Sequence, residues 1–294
     1  MWEIDAARPN RWVRARAGSD EPIGRSDETL NPSAVDVPAV SVASVRRALY
    51  ARLRRLFLGG YYRLVHQNYD REVLATRQRT LGGTVRSYEL YNRHGRDEML
   101  AAVESHCGPE SVVYDVGANV GVYALALAAG EPDRRIVAVE PAPTVADQLT
   151  ANVRVNGFGD RIAVRRCGLG DESGERDFYV STYTELSGFD RASASRWEAS
   201  VAAVEPVQVD RLDDLVAETS PPDVVKIDVE GGGASVLRGG RDTLERHRPT
   251  IVLEPHSDGL DGTEPTACRT LLTDAEYEIT ERDDFWVAEP ATSP

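Results

Sequence analysis

Three ionisable residues alternate with apolar residues along one short stretch of this 294-residue chain. They are Lys226, Asp228 and Glu230, and Lys226 is the only lysine in the sequence. In a β-strand, alternate residues point to the same face, so the three charges would lie side by side. Burying charges is costly unless they pair with one another or serve a site. The pattern therefore indicates either a charged site at the end of a strand or an internal ion pair that closes the strand end.

A glycine-rich motif earlier in the chain is typical of a cofactor-binding turn. Residues 115–121 read Asp-Val-Gly-Ala-Asn-Val-Gly, between an apolar run that predicts a buried strand and a small, apolar segment that predicts a buried helix. Glycine lets a ligand approach the backbone closely, here at the N-terminus of the helix. Asp115, before the first glycine, would repel a pyrophosphate but suits a ligand with a cationic amino-acid end, such as S-adenosylmethionine.

Two further strand ends complete the predicted cofactor site. Glu140 ends the next apolar run, 23 residues after Gly117, where an acid can accept hydrogen bonds from the two ribose hydroxyls of an adenosine. Cys167 and Gly168 follow the third run, and small, apolar groups there suit the edge of an adenine ring. The sequence thus predicts an adenosine-containing cofactor at three neighbouring strand ends.

The elements that must position these residues alternate between strand and helix from residue 97 onwards. Such alternation predicts an α/β fold with a mostly parallel sheet. We expect one helix over Gly232–Arg246 and a polar loop over Thr182–Ser200, which is a candidate lid. Sites in parallel sheets form at the carboxyl ends of the strands, so six side chains should gather along one edge: Asp115, Glu140, Asp228, Glu230, Glu254 and His256.

The first third of the chain differs from the rest in composition. Between Val42 and Leu90 there are ten arginines against three acids, and a basic amphipathic helix is expected, bent or broken at Leu58–Tyr62. This helix could dock on the rest of the protein, lie on an anionic membrane surface through residues 42–66, or bind RNA. The expected organisation is a disordered, proline-broken leader (1–40), a basic N-terminal extension (41–96) and an α/β domain (97–294).

The overall composition is strongly acidic. Acids outnumber bases 48 to 34, which gives a formal net charge of −14. The acidic charge and the single lysine are similar to those of proteins from salt-loving archaea, in which surface acids keep the protein soluble. A GC-rich coding bias is the alternative explanation of this composition. Three cysteines without metal-type spacing favour a reducing compartment and argue against a zinc site. No membrane-length apolar run and no signal-peptide pattern are present, so a cytoplasmic protein is expected. Association with a membrane is expected only through the basic extension. No contact with DNA is expected.

Several motifs together resemble the FkbM-type methyltransferases, which have the class I methyltransferase fold. Between Asp97 and Val287 the resemblance rests on the glycine-rich motif, on Lys-Ile-Asp-Val-Glu-Gly at 226–231, on Val-Leu-Arg-Gly at 236–239 and on the segment 248–256. It implies a Rossmann-like, doubly wound, mostly parallel seven-stranded sheet with helices on both faces, preceded by a helical N-terminal extension. It also implies S-adenosylmethionine as the cofactor, and the predicted binding set becomes Asp115, Gly117, Asn119, Gly121, Glu140, Cys167, Gly168 and Asp228.

The resemblance further implies O-methylation of a sugar, glycolipid or small-metabolite hydroxyl. Asp228 or His256 is the candidate base for the hydroxyl proton, and Glu230 and Lys226 would orient them. No metal is assigned, although four side chains could instead hold a divalent cation: Asp228, Glu230, Glu254 and His256.

Two other functions remain open. One is an RNA methyltransferase, which the Arg-rich segment favours. The other is a binding protein that keeps the cofactor fold without catalysis. The second is favoured by Gly233, which stands where the family usually has an acid.

Overall fold

The computed structural model describes residues 2–5, 8–14, 59–90, 94–183, 186–196, 199–256 and 263–291. The chain divides into two compact units, Met1–Arg46 and Arg47–Pro294. In the first unit, the described residues form an antiparallel hairpin of β1 (Trp2–Asp5) and β2 (Arg8–Arg14). The hairpin differs from the expected leader without regular structure, because apolar and acidic residues alternate in β1 with the period of a strand. The rest of the predicted leader lies outside the described residues.

In the second unit, a helix and a hairpin come before the main sheet. They are followed by one more helix, so the order is α1 (59–71), β3 (Thr76–Arg79), β4 (Thr84–Ser87) and α2 (Glu98–Ser105). Gly59 and Gly60 are helical, and the predicted bend or break at Leu58–Tyr62 stays a prediction because the residues directly before Gly59 lie outside the described part of the chain. Glycine costs a helix only about 1 kcal/mol per residue, and burial of Val65 and Tyr69 in α1 offsets that cost. The predicted basic helix over Val42–Phe57 lies outside the described residues.

The remaining elements mostly alternate between strand and helix. In chain order they are β5 (Val112–Val116), α3 (Val122–Gly130), β6 (Arg135–Val139), α4 (Pro143–Asn156), β7 (Ile162–Arg165), β8 (Gly168–Leu169), β9 (Gly174–Ser181), α5 (Arg191–Ala194), β10 (Val201–Asp210), α6 (Leu212–Glu218), β11 (Val224–Ile227), α7 (Gly233–Gly239), α8 (Arg241–Arg246), β12 (Thr250–Leu253), α9 (Glu264–Asp274), β13 (Tyr277–Glu281) and β14 (Trp286–Pro290). The exceptions to the alternation are β7 to β9, α7 and α8, and β13 and β14, which follow one another directly.

Within the described residues, seven strands form the main sheet in the order β13-β14-β12-β11-β5-β6-β7. The strand β14 is antiparallel to both of its neighbours, and the strands from β12 to β7 are parallel. A smaller sheet of β8, β10 and β9 stands beside it. The predicted α/β fold with a mostly parallel seven-stranded sheet is therefore confirmed.

Both faces of the main sheet are buried, as expected for parallel strands covered by helices. Along β5, Tyr114 packs in one apolar cluster and Val113 in another, and along β11 the residues Val225 and Val224 divide in the same way. This packing explains why the strand sequences are apolar throughout, and it makes the carboxyl ends of the strands the place for polar side chains.

A buried arginine connects α2 to the sheet. Arg134 is 2% exposed, and its Nη1 donates to Glu104 Oε2 of α2 at 2.7 Å and to the Leu127 carbonyl of α3 at 3.2 Å. A buried guanidinium needs such partners, because an unpaired charge in the interior is strongly destabilising. Arg134 therefore makes α2 part of the domain core.

The hairpin of β3 and β4 and the helix α1 pack on the domain through Asn152 of α4. Its Oδ1 accepts the Tyr88 N–H at 3.1 Å, and its Nδ2 donates to the Tyr69 hydroxyl at 2.8 Å. In the described part of the chain, every helix is too short or too polar to span a membrane.

Two of the predicted elements are divided. The single helix expected over Gly232–Arg246 is two helices, α7 and α8, which meet at Gly240. A Cβ on Gly240 would lie 2.6 Å from Leu212 Cδ2, so a close approach to α6 occupies the junction. The loop expected over Thr182–Ser200 contains the short helix α5, because the Asp190 side chain accepts the Ser193 N–H and caps a first turn.

Candidate active site

The glycine-rich turn after β5 is built from backbone contacts. The N–H groups of Gly117 and Ala118 both donate to the Val139 carbonyl at 3.0 Å. Gly117, Asn119 and Gly121 have φ angles of +77°, +50° and +89°, which glycine adopts freely and asparagine tolerates better than most residues. A Cβ on Gly117 would overlap the Asp228 carbonyl oxygen, so this position needs glycine on two grounds.

Glu140 holds the turn from the end of β6. Its Oε2 accepts the Asn119 N–H at 2.9 Å, and its Oε1 accepts the Ala142 N–H at 2.9 Å. Burial raises the pKa of Glu140 to about 7, against the lowering effect of these two hydrogen bonds. Each carboxylate oxygen of Glu140 has a further lone pair, so Glu140 can still accept hydrogen bonds from ribose hydroxyls, as predicted.

Asp115 and Lys226 form a buried ion pair beneath the turn. The carboxylate is fully buried, the lysine is 4% exposed, and Nζ lies 3.1 Å from Oδ1. Lys226 also donates to the Gly117 carbonyl at 2.9 Å, and Asp115 Oδ2 accepts the Ala124 N–H of α3 at 3.2 Å. Burial lowers the pKa of Lys226, but Asp115 and Asp228 outweigh it and raise the pKa, so the lysine stays charged. The predicted contact of Asp115 with the cofactor remains a prediction.

A partly buried charged cluster follows β11 and β12. Asp228 Oδ2 lies 3.6 Å from Lys226 Nζ, and Asp228 Oδ1 lies 3.1 Å from His256 Nε2. His256 Nδ1 lies 3.7 Å from Glu230 Oε2, and Glu230 pairs with Arg196. The four predicted catalytic residues therefore come together, although β11 ends at Ile227, before Asp228 and Glu230.

The charges of this cluster shift its ionisation equilibria. Burial raises the pKa of Asp228, but Lys226 and His256 outweigh it and hold the pKa well below the usual range. Burial lowers the pKa of His256, but the hydrogen bond with Asp228 and the charge of Glu230 raise it to about 9. Burial and the charge of Asp228 together raise the pKa of Glu254 to about 7.

The predicted adenine edge lies one strand away from Glu140. The Glu140 N–H donates to the Arg165 carbonyl at 3.0 Å, which places Cys167 and Gly168 just beyond the neighbouring strand end. A Cβ on Gly168 would lie 2.5 Å from Phe189 Cζ. Phe189 belongs to the candidate lid, so part of that segment covers the predicted adenine edge.

Sequence reasoning missed residues that reach the site from other segments. Asp97 caps α2 and accepts the Tyr123 hydroxyl proton at 2.6 Å, while the Tyr123 ring lies 5.1 Å from Lys226 Nζ. His94 Nδ1 lies 3.2 Å from Asp97 Oδ2. The capping position of Asp97 was a usable signal. His94 and Arg196 lie in irregular segments without a motif.

Glu264 of α9 contacts the start of α7. Its Oε1 accepts the Gly233 N–H at 2.6 Å. A Cβ on Gly233 would lie 3.3 Å from the same oxygen. A carboxylate therefore stands next to the position where the resemblance leads one to expect an acid.

Comparison with known proteins gives the following matches. A family described as the methyltransferase FkbM domain matches residues 115–279. Hexuronic acid methyltransferase AglP of Haloferax volcanii is 29% identical over 213 residues, which cover 69% of this chain and 82% of AglP. The 31-O-demethyl-FK506 methyltransferase FkbM of Streptomyces tacrolimicus is 32% identical over 177 residues, covering 50% and 66%.

Some matches cover only a part of the other protein. AMB antimetabolite synthetase AmbE of Pseudomonas aeruginosa is 28% identical over 211 residues, which are 60% of this chain but 10% of AmbE. The crystal structure of methyltransferase FkbM from Methylobacillus flagellatus aligns with a TM-score of 0.44 and 19% identity, covering 62% of this chain and 44% of that one.

Proposed function

Because the chain belongs to the FkbM methyltransferase family, we propose that it transfers the methyl group of S-adenosylmethionine to a hydroxyl oxygen of a sugar, glycolipid or small metabolite. One observation carries the proposal. Lys226 contacts the glycine turn through the Gly117 carbonyl at 2.9 Å and the charged cluster through Asp228 at 3.6 Å. A methyl donor on the turn would thus face polar side chains that can bind a hydroxyl.

The electrostatics of the cluster are compatible with the cationic donor. Carboxylates of Asp228, Glu230 and Glu254 lie along this edge, and they balance the charges of Lys226, His256 and Arg196, so a sulfonium meets carboxylates there without an excess of positive charge to repel it. In the transfer, a lone pair of the acceptor oxygen forms a bond to the methyl carbon. The carbon–sulfur bond breaks, its electron pair returns to sulfur, and neutral S-adenosylhomocysteine leaves. Positioning of the two reactants supplies much of the rate.

The acceptor hydroxyl also loses a proton, and Asp228 and His256 are the residues proposed to activate it. They lie 3.1 Å apart and already contact each other, so an entering hydroxyl must take one of these contacts. Glu230 and Lys226 hold the pair from either side. Asp228→Asn should therefore lower turnover more than the affinity for the cofactor. Asp133→Asn, an exposed change of the same kind, should alter neither.

The binding-protein hypothesis rests on Gly233, and the Glu264 carboxylate next to it weakens that argument. Titration calorimetry with S-adenosylmethionine, S-adenosylhomocysteine and NADH, in high and low KCl, tests the proposal first. We expect micromolar binding of the first two ligands and none of NADH. Transfer of labelled methyl to a panel of glycosides then tests catalysis. Absence of binding by either sulfur compound to folded protein would refute the proposed function.

A further inference from the structure

We propose that a divalent ion of the Mn²⁺ or Zn²⁺ kind binds to Asp228, Glu254 and His256, and that it holds two neighbouring oxygens of the methyl acceptor. The inference rests on the proposed function, because it describes how Asp228 and His256 activate the hydroxyl. It adds Glu254, to which the sequence assigned no catalytic role. It also restricts the acceptor to molecules with two adjacent oxygen donors.

The geometry of the three side chains fits one ion. One ligand atom from each lies within 4.8 Å of the other two. Asp228 Oδ1 and His256 Nε2 share a hydrogen bond at 3.1 Å, and an ion would have to replace the shared proton; adjacent ligands at about 2.1 Å from an octahedral ion lie roughly 3.0 Å apart, so the two atoms need not move far. Asp228 and Glu254 follow neighbouring strands, β11 and β12, so the backbone holds the set in place. Small rotations of partly exposed side chains would close it.

Glu254 is the second observation that points to a ligand. Among the described residues, its carboxylate makes no hydrogen bond or ion pair, although it is half-buried beside Asp228. The other acids of the edge have cations: Asp115 faces Lys226, and Glu230 faces Arg196. Asp228 itself faces Lys226 and His256, so among the described residues Glu254 is the carboxylate of this edge that has no ion pair, and a cation bound there would supply one.

The donor set selects the kind of ion. Two carboxylates and one imidazole suit Mn²⁺, Zn²⁺ and similar transition metals, whereas Ca²⁺ and Mg²⁺ take oxygen ligands almost exclusively. Lys226 contacts the far oxygen of Asp228, Oδ2, so Oδ1 becomes a ligand atom once the ion displaces its hydrogen bond with His256.

Three protein ligands leave open coordination positions. Two oxygens of a vicinal diol, or a hydroxyl next to a carboxylate in a sugar acid, can occupy adjacent positions on the ion. The ion lowers the pKa of the bound hydroxyl, whose proton passes to solvent water, since Asp228 is 39% exposed. The resulting alkoxide then attacks the methyl carbon as described above.

Titration of the full chain with Mn²⁺, followed by the EPR signal of free Mn²⁺ with S-adenosylhomocysteine present, tests the ion site. We expect one saturable site per chain. Glu254→Gln and His256→Ala should each weaken it at least tenfold, while the exposed controls Glu110→Gln and His247→Ala should leave it unchanged. Retained binding of S-adenosylhomocysteine shows that each variant is folded. No saturable site, or equal affinity in both ligand variants, overturns the proposal.

The acceptor half is tested on the Mn²⁺-loaded protein by water-proton relaxation. Glucuronic acid should displace bound water and lower the relaxation enhancement, and cyclohexanol, with one oxygen, should not. Equal responses to the two compounds would overturn the two-oxygen restriction. Normal binding of S-adenosylmethionine in EDTA, together with a failed Mn²⁺ titration, would overturn the ion site and leave the proposed function standing.

Discussion

The two sides of the candidate active site differ in what holds them together. The proposed cofactor side consists of a glycine turn whose N–H groups bond to the Val139 carbonyl, with contacts from Glu140 and the buried Asp115–Lys226 pair. The proposed acceptor side consists of charged side chains that contact one another and are partly exposed to solvent. Removing the charge of Lys226 should thus destabilise the first side, whereas removing the charge of Glu254 should be tolerated by the second. A fixed donor site and an adaptable acceptor site can coexist because one depends on backbone geometry and the other on side-chain identity.

The largest effect is expected from Lys226→Met. It leaves Asp115 buried without a cation, and breaking such a pair costs about 3–5 kcal/mol of unfolding free energy. Urea denaturation measures the loss. The double variant Asp115→Asn/Lys226→Met removes both charges and should regain at least half of it. A single variant as stable as the wild type would show that the pair does not support the turn.

Gly117→Ala should come next. The left-handed φ costs a residue with a Cβ about 1–2 kcal/mol, and the overlap with the Asp228 carbonyl adds backbone displacement. Gly121→Ala has the same kind of φ, but its Cβ would meet the flexible end of Leu149. We expect Gly117→Ala to lose more affinity for S-adenosylhomocysteine, by calorimetry, than Gly121→Ala. The reverse order would contradict the close packing of turn and strand end.

Glu140 gives the cofactor side a pH dependence. Its pKa in the folded protein is raised to about 7 from 4.5, so burial favours the protonated form. Its contribution to stability is full below about pH 4.5 and is lost as the pH rises through 7. Denaturation from pH 5 to 8 should therefore show wild type losing stability relative to Glu140→Gln. Parallel curves for the two proteins would count against the raised pKa.

The smallest effect is expected from Glu254→Gln on the acceptor side. Within the described residues no partner is lost, and repulsion from Asp228 is relieved, so stability should stay equal or rise by up to about 1 kcal/mol. Glu230→Gln, which gives up the Arg196 pair, is the matched comparison and should be less stable. Thermal denaturation in EDTA measures the stability of both variants. A clear loss of stability in Glu254→Gln would contradict the expectation that the acceptor side tolerates removal of this charge.

The same contrast explains what the sequence could predict. Gly117, Glu140 and Lys226 stand at or beside strand ends with fixed spacing, so local pattern predicted the parallel sheet and the turn on which the proposed cofactor side is built. Arg196 reaches Glu230 across 34 residues from an irregular segment, and Tyr123 reaches Asp97 across 26 residues. Such contacts depend on tertiary packing and leave no periodic trace. The division between α7 and α8 was missed for the same reason, since it depends on the approach of Leu212 to Gly240.

The buried Arg134 has a consequence for where the autonomous folding unit begins. The family match starts at Asp115, yet the guanidinium behind β6 takes its carboxylate from Glu104, before that point. A fragment cut at the family boundary would keep a charge in its interior and discard the counter-charge. We therefore expect a stable fragment to include α2 and its cap Asp97, so the family match and the cooperative unit of folding have different limits.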